Sequence, residues 1–342
     1  MDILGGRAIQ MGPRNFMALV YQTIPIAITV EGANILTRSM IIFGQGAMRC
    51  HPYLADELEA LSDDSDGALE RFDGLLSAHL AHTAGVFSRG FLQGLTASKF
   101  SKTDCGNSAL SARWYPRIDR YSAVFAATAD FALLLLGGDL KRRELLSARL
   151  GDVHSQLVIA CAILKFHDSQ HASEANTLHA EFALKRSFTA LNKALMGFYQ
   201  NMPQRWMGCV LRVVFFPWGV PSFDVSDNDI RDLGDMIMTQ NPVRSILADA
   251  VHMSDNDEDA QGRIHRAFQL LSEIENDYDA VLHGKLPGDS FAEKLQSAVA
   301  AGLITEQQSQ RLAEYDERRY DCLLTDAFDA KLNDIDVRPV RP

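Results

Sequence analysis

Ala123-Val-Phe-Ala-Ala-Thr-Ala-Asp-Phe-Ala-Leu-Leu-Leu-Leu-Gly-Gly138 is one of the two longest apolar runs of the chain, and it carries a single charge, Asp130. Spanning a bilayer takes about 20 apolar helical residues. This run is shorter and interrupted, so it reads as a buried core helix. Gly137-Gly138 supplies the positive-φ residues that stop it. The second run, Trp206 to Val220, contains Arg212 and Pro217 and reads the same way, with a membrane-surface contact as the alternative. Outward from these runs the apolar residues recur at steps of three and four. Stretches rich in Val, Ile and Thr with period two are scarce.

The pattern predicts an all-α protein. Helices are expected over Arg14–Val20, Ile35–Met48, Tyr53–Ala60, Ala68–Gly94, Tyr115–Leu136, Lys141–His167, Ala172–Gln200, Gln204–Phe216, Asn228–Thr239, Asp257–His283, Ser290–Ala301 and Thr305–Ala327. Pro203 and Pro217 break their neighbours, and Thr305 with Gln308 fits a capping box. Ser62-Asp-Asp-Ser-Asp-Gly67 reads as a loop and places a domain boundary near residue 60, giving a short unit 1–60 and a longer unit 61–342. Asp334 to Pro342 reads as an extended tail, and no internal repeat is visible.

A chain of 342 residues with 47% apolar and 23% charged residues can bury one large core or two smaller ones. Its net charge of −11 excludes a nucleic-acid partner, which needs a basic face. The cysteines Cys50, Cys105, Cys161, Cys209 and Cys322 are odd in number and scattered without metal-type spacing. A reducing setting follows. The first residues lack a signal-peptide pattern, and the expected location is cytoplasmic.

The chemistry centres on Ala27-Ile-Thr-Val-Glu-Gly-Ala-Asn-Ile-Leu-Thr-Arg-Ser-Met40. Removing a proton next to a thioester carbonyl needs a base held against one carbon. A carboxylate serves once desolvation raises its pKa toward the working range. Glu31 has apolar Ile28 and Val30 before it, while Gly32 and Ala33 after it leave room for a flat ring or acyl chain. Taken alone, Glu31 reads more simply as an exposed residue of a helical first turn, where its charge suits the macrodipole.

Other motifs were weighed against bland readings. His167-Asp-Ser-Gln-His171 has the histidine spacing of a zinc-protease helix, but Asp168 stands where glutamate is required, so a polar helix end is preferred. His79 and His82 are three apart and could share a ligand face; no metal site is expected from them. The acidic runs Ser62–Gly67 and Asp255–Asp259 lack the residues of a calcium loop, the second having Ala260 where glycine belongs, and read as solvated loops. Lys141-Arg-Arg143 could clamp a CoA phosphate, although a basic helix face paired with Asp139 or Glu144 is commoner.

The residues around Glu31 change its reading. Ile3-Leu-Gly-Gly-Arg-Ala-Ile-Gln-Met-Gly-Pro-Arg-Asn-Phe16, then Tyr21-Gln-Thr-Ile-Pro-Ile-Ala-Ile-Thr-Val-Glu-Gly32, resembles the paired-glycine turn, helix and Glu-Gly pair near the end of the third domain of acyl-CoA dehydrogenases. Arg38, Ile41-Ile-Phe-Gly-Gln-Gly-Ala-Met-Arg-Cys-His-Pro-Tyr53 and Leu136-Gly-Gly-Asp-Leu-Lys-Arg-Arg-Glu-Leu-Leu-Ser-Ala-Arg-Leu-Gly-Asp152 resemble the bacterial long-chain branch of fatty-acid β-oxidation, which carries an extra helical C-terminal region. Residues 1–60 then correspond to the end of the third domain and 61–342 to that extension.

The resemblance implies an FAD-dependent oxidation of acyl-CoA to trans-2-enoyl-CoA. It implies Glu31 as the base for the α-proton and its own backbone N–H as a donor to the thioester carbonyl. Gly5 and Gly6 match the turn that approaches the FAD of a neighbouring subunit, and Gly32 and Ala33 the stretch beside the flavin. The implied partners are the acyl-CoA substrate, a second copy of the chain or a separate N-terminal half, and an electron-transfer flavoprotein. Three departures stand against this. Ala33 and Ile35 replace a threonine and a glutamine that bond the flavin in the common branch, Asp2 replaces a glutamine, and Ala8 a third glycine. The family's β-domain and first helical domain have no counterpart, so turnover by this chain alone is not expected. The alternative is a helical interaction module that binds a related subunit or an electron-transfer partner without catalysis.

Overall fold

The computed structural model describes residues 2–10, 12, 14–15, 17–26, 36–99, 101, 108–171 and 173–326. The fold is all-α, with no strand among the described residues. A 3₁₀ turn, Gly5–Ile9, precedes α1 (Met17–Thr23), and a π-helical segment, Thr37–Gln45, runs into α2 (Gly46–Cys50). Then follow α3 (Leu54–Leu61), α4 (Ala68–Leu95), α5 (Ala109–Leu136), α6 (Asp139–Arg142), α7 (Glu144–Ser169), α8 (Glu174–Asn201), α9 (Arg205–Phe215), α10 (Asp227–Met238), α11 (Pro242–Ala248), α12 (Ala260–His283), α13 (Phe291–Ala300) and α14 (Glu306–Leu323). No helix among the described residues is long and apolar enough to cross a membrane.

Contacts divide the chain into two compact units, Ile28–Val243 and Met1–Ala27 together with Arg244–Pro342. This division falls at other positions than the boundary near residue 60 read from the Ser62–Gly67 loop.

In the unit 28–243, α4, α5, α7, α8 and α9 enclose the larger core. Trp114, Tyr121, Phe188, Phe198 and Phe215 are fully buried. Trp114 packs on Phe188 at 5.0 Å between ring centroids, and Tyr121 meets the same ring edge-on at 5.3 Å. Each such ring contributes about 1.5–3 kcal/mol by leaving water. The buried tyrosine hydroxyls are satisfied: Tyr121 donates to Asn192 Oδ1 at 2.6 Å, and the Tyr199 and Thr128 hydroxyls share a bond of 2.8 Å. Gly208 is needed where α9 crosses α8, because a Cβ there would run into the Tyr199 carbonyl.

Two helix boundaries differ instructively from the sequence reading. Helix α5 begins at Ala109 rather than Tyr115, because the Ser108 hydroxyl accepts the Ser111 N–H at 3.1 Å and caps an earlier start. Pro116 therefore lies inside the helix instead of in its first turn. The expected helix Ile35–Met48 is π-helical for most of its length, a distinction that apolar spacing does not carry.

In the other unit, α12, α13 and α14 surround a small core of Ile274, Val281, Leu295, Ala298, Ile304, Leu312 and Tyr315. The expected Thr305–Gln308 capping box is present, and Ser290 with Glu293 forms a second. Asp321 on α14 accepts from Arg14 at 2.7 Å and from Arg263 at 2.8 Å, tying the N-terminal segment to α12 and α14.

Candidate functional site

Of the site residues named from the sequence, Gly5 and Gly6 are among the described residues. Gly5 and Gly6 open the 3₁₀ turn, exposed, with Gly5 at φ +61°, where a glycine is favoured. No atom lies within 4 Å of a Cβ built on either glycine, so the backbone is open to a flat group, which fits the role implied for the pair. The turn is held from behind. The Asn15 amide donates to the carbonyls of Arg7 (2.9 Å), Ala8 (3.1 Å) and Gln10, and its Oδ1 accepts the Met17 N–H at 3.0 Å. Ala8, standing where the family has a glycine, has its methyl wholly buried. Glu31, Gly32 and Ala33 lie outside the described residues, as do Cys105 and the tail from Asp334.

The segment that follows Glu31 is described from Leu36, and it is anchored to α7. Arg38 grips Asp152 with both arms of its guanidinium, Nε reaching Oδ1 at 2.6 Å and Nη2 reaching Oδ2 at 2.5 Å. Gly151 beside it lets the segment close in, since a Cβ there would stand 3.1 Å from the Arg38 carbonyl. Phe43 is buried and packs edge-on against Phe125 of α5 at 6.2 Å. Two stretches that carry the resemblance, around Arg38 and up to Asp152, thus meet through a fork–fork ion pair.

Downstream, a buried polar cluster forms that the sequence did not reveal. His51 Nε2 lies 3.0 Å from Asp130 Oδ1, and Asp130 also accepts the Thr83 hydroxyl at 2.6 Å. His79 Nδ1 lies 2.8 Å from Glu57 Oε1, its ring 4.6 Å from that of His51 and stacked at 5.5 Å on Tyr53. Single ligand atoms from His51, His79 and Asp130 all come within 4.8 Å of one another, so these residues could hold a divalent ion after a small closure. The hydrogen bonding argues otherwise. His51 Nδ1 already accepts the N–H groups of Tyr53 and Leu54, both at 3.2 Å, which leaves its proton on Nε2, pointing at Asp130. A metal on Nε2 would displace that proton with no place for it on Nδ1. The geometry is that of two histidine–carboxylate pairs locking α3, α4 and α5 together. The sequence signals for this cluster are Asp130, the lone charge in its apolar run, and His79, read beside His82; His51, the partner of Asp130, is far away in sequence.

The other weighed motifs resolve into local contacts. Asp168 accepts the hydroxyls of Ser108 (2.6 Å) and Ser111 (2.7 Å), and His167 Nε2 lies 3.3 Å from the Thr177 hydroxyl, joining a helix end to the start of α5. Asp63 accepts the Ser65 N–H, and Asp257 pairs with Arg266 and Arg318. Arg142 pairs with Asp139, as a basic helix face would. In α9, Gly208, Leu211 and Phe215 are buried while Trp206, Val210 and Val213 are exposed, so this helix is half core and half surface.

No solved structure matches the chain. The family model of the acyl-CoA dehydrogenase C-terminal domain, bacterial type, matches residues 48–328, well over half of the sequence and the whole span from α2 to the end of α14. The chain therefore belongs to the bacterial-type acyl-CoA dehydrogenase C-terminal family and is of the dehydrogenase kind.

Proposed function

We propose that this chain is the C-terminal part of an FAD-dependent acyl-CoA dehydrogenase of the bacterial long-chain β-oxidation branch, acting on acyl-CoA to give trans-2-enoyl-CoA. Residues 1–60 would close the third domain and 61–342 form its helical extension. The observation that carries this reading is the family match joined to the Arg38–Asp152 fork, which links the stretch following Glu31 to the most recognisable stretch of the extension. The match starts at Met48, close to the proposed boundary.

In this reading Glu31 takes the α-proton and its N–H polarises the thioester carbonyl. Gly5, Gly6, Gly32 and Ala33 leave space for the flavin ring, which supplies the acceptor for the β-hydrogen when bound. The chain's larger unit has a mechanical task. By fixing Arg38 and Phe43 it fixes the exit of the segment that bears the base, and positioning errors of about 1 Å are enough to cost two orders of magnitude in rate. Acyl-CoA, a second copy of the chain and an electron-transfer flavoprotein are the partners this reading supplies.

Most flavin contacts would come from domains outside this stretch of sequence. The purified 342-residue chain is therefore expected to show no flavin absorbance and no acyl-CoA oxidation, and regains both only with those domains supplied. Stoichiometric FAD on the chain alone would contradict this. A second reading, a non-catalytic interaction module, is supported by the exposed Trp206, Val210, Val213 and Trp218. Reconstitution separates the two, because a module does not restore oxidation.

A further inference from the structure

Helix α5 gathers arginines at positions 113, 117 and 120, spaced to share one face, where like charges repel. In a chain of net charge −11 such a grouping needs a counter-charge. Two of the three are provided for in part. Arg113 pairs with Glu181 at 2.5 Å, and buried Arg120 donates to the Phe215 carbonyl at 2.9 Å while its Nε–H finds no acceptor.

Arg117 is different. Its guanidinium lies 4.5 Å over the Trp114 ring and 5.7 Å from that of Phe223, and it has no hydrogen bond or ion pair among the described residues. Burial first, and then the charge of Arg113, lower its pKa, so the site disfavours the cation it holds. The two ring contacts and the Glu181 charge offset part of that cost, but the half-buried guanidinium has no direct anionic partner among the described residues.

These residues line one cavity of about 390 Å³, within the range of small-molecule sites. Of its other charges, Lys185 is bound by Asp229 at 2.8 Å, while Asp224 accepts the Ser222 hydroxyl at 2.7 Å and keeps its negative charge. Trp114 Nε1–H is a further buried donor without a partner. With Arg113 paired to Glu181 and Lys185 to Asp229, Arg117 and Arg120 stand against a single carboxylate of the lining, Asp224, and the buried Arg120 Nε–H and Trp114 Nε1–H have no acceptor.

We propose that the cavity formed by Arg117, Arg120, Trp114 and Phe223 binds a small organic phosphate, its phosphoryl group held by the Arg117 fork. The planar fork suits phosphate oxygens, and a phosphate anion supplies the counter-charge and acceptors that Asp224 alone does not. The volume exceeds that of a bare phosphate and leaves room for an organic substituent. This proposal does not depend on the dehydrogenase reading.

The test is calorimetric titration of the purified chain with inorganic phosphate, phenyl phosphate and benzoate. One equivalent of phenyl phosphate is expected to bind saturably, with benzoate at least tenfold weaker. Arg117→Gln should weaken phenyl phosphate at least tenfold, whereas Arg142→Gln, on the exposed α6, should leave it unchanged. No saturable binding of either phosphate, or equal binding by Arg117→Gln, overturns the site; benzoate binding as tightly overturns the phosphoryl assignment. If circular dichroism shows that Arg117→Gln does not fold, Glu181→Gln decides. Releasing Arg113 should tighten phenyl phosphate severalfold, and unchanged or weaker binding overturns the proposal.

Discussion

The unit 28–243 and the unit built from 1–27 and 244–342 are both helical, but different forces hold them. In the first, five aromatic rings and a band of leucines from α7 and α8 are removed from water, and the buried tyrosine hydroxyls among them are bonded. In the second, the apolar core is small, and helix ends and charges take a larger share: two capping boxes and the carboxylate of Asp321 between two arginines. The difference is one of resilience. Apolar burial is indifferent to pH and salt, whereas ion pairs at a partly open surface are sensitive to both.

Three substitutions probe that contrast, and the three tryptophans help, since Trp114, Trp206 and Trp218 all lie in the larger unit. Phe188→Ala should have the largest effect, a loss of about 3–5 kcal/mol, because the ring is fully buried among Trp114, Tyr121 and Phe223 and leaves a cavity. Urea unfolding followed by tryptophan fluorescence reads it; a loss below about 1 kcal/mol would mean the core is not packed as described. In the smaller unit, Thr305→Ala removes the hydroxyl half of a capping box, leaving the backbone N–H to Gln308, and should cost about 1 kcal/mol, read as helical circular dichroism lost at lower urea.

Asp321→Asn should cost least, below about 1 kcal/mol, since the carboxylate is 39% exposed and its ion pairs are screened. Its pH dependence is the sharper test. Burial alone would raise the Asp321 carboxyl, but the hydrogen bonds from Arg263 and Arg14 outweigh it and hold the pKa below the ordinary carboxylate range. A folded pKa below the unfolded one stabilises above about pH 3.9, and that stability is lost as the pH falls through the lowered value. The wild type should therefore lose its advantage over Asp321→Asn on acidification or at high salt. An advantage that persists in acid would remove ion pairing from the account of this unit.

The sequence was legible where a local rule acts alone. The Gly137-Gly138 stop, the Thr305 capping box and the long helices α4, α7, α8 and α12 were readable because apolar period and cap chemistry are short-range. It was opaque where distant residues decide. Ser108 starts α5 ahead of Pro116, against the expectation that proline favours a first turn. Arg38 finds Asp152 across more than a hundred residues, and Arg14 finds Asp321 across three hundred. The histidines suggested as a pair were His79 and His82, yet the structure bonds His79 to Glu57 and brings in His51 with Asp130. Of the candidate site, the roles of Gly5 and Gly6 rest on the family resemblance, and Glu31 rests on that resemblance and on its apolar flanks.

The central claim is that Glu31 is the base of an acyl-CoA dehydrogenase whose exit segment the helical extension holds. It is tested most directly by mixing the complete enzyme carrying Glu31→Gln with an acyl-CoA and following the flavin absorbance. The account predicts that FAD stays bound and that the bleaching seen with wild type disappears. Bleaching at the wild-type rate would contradict it and move the base elsewhere.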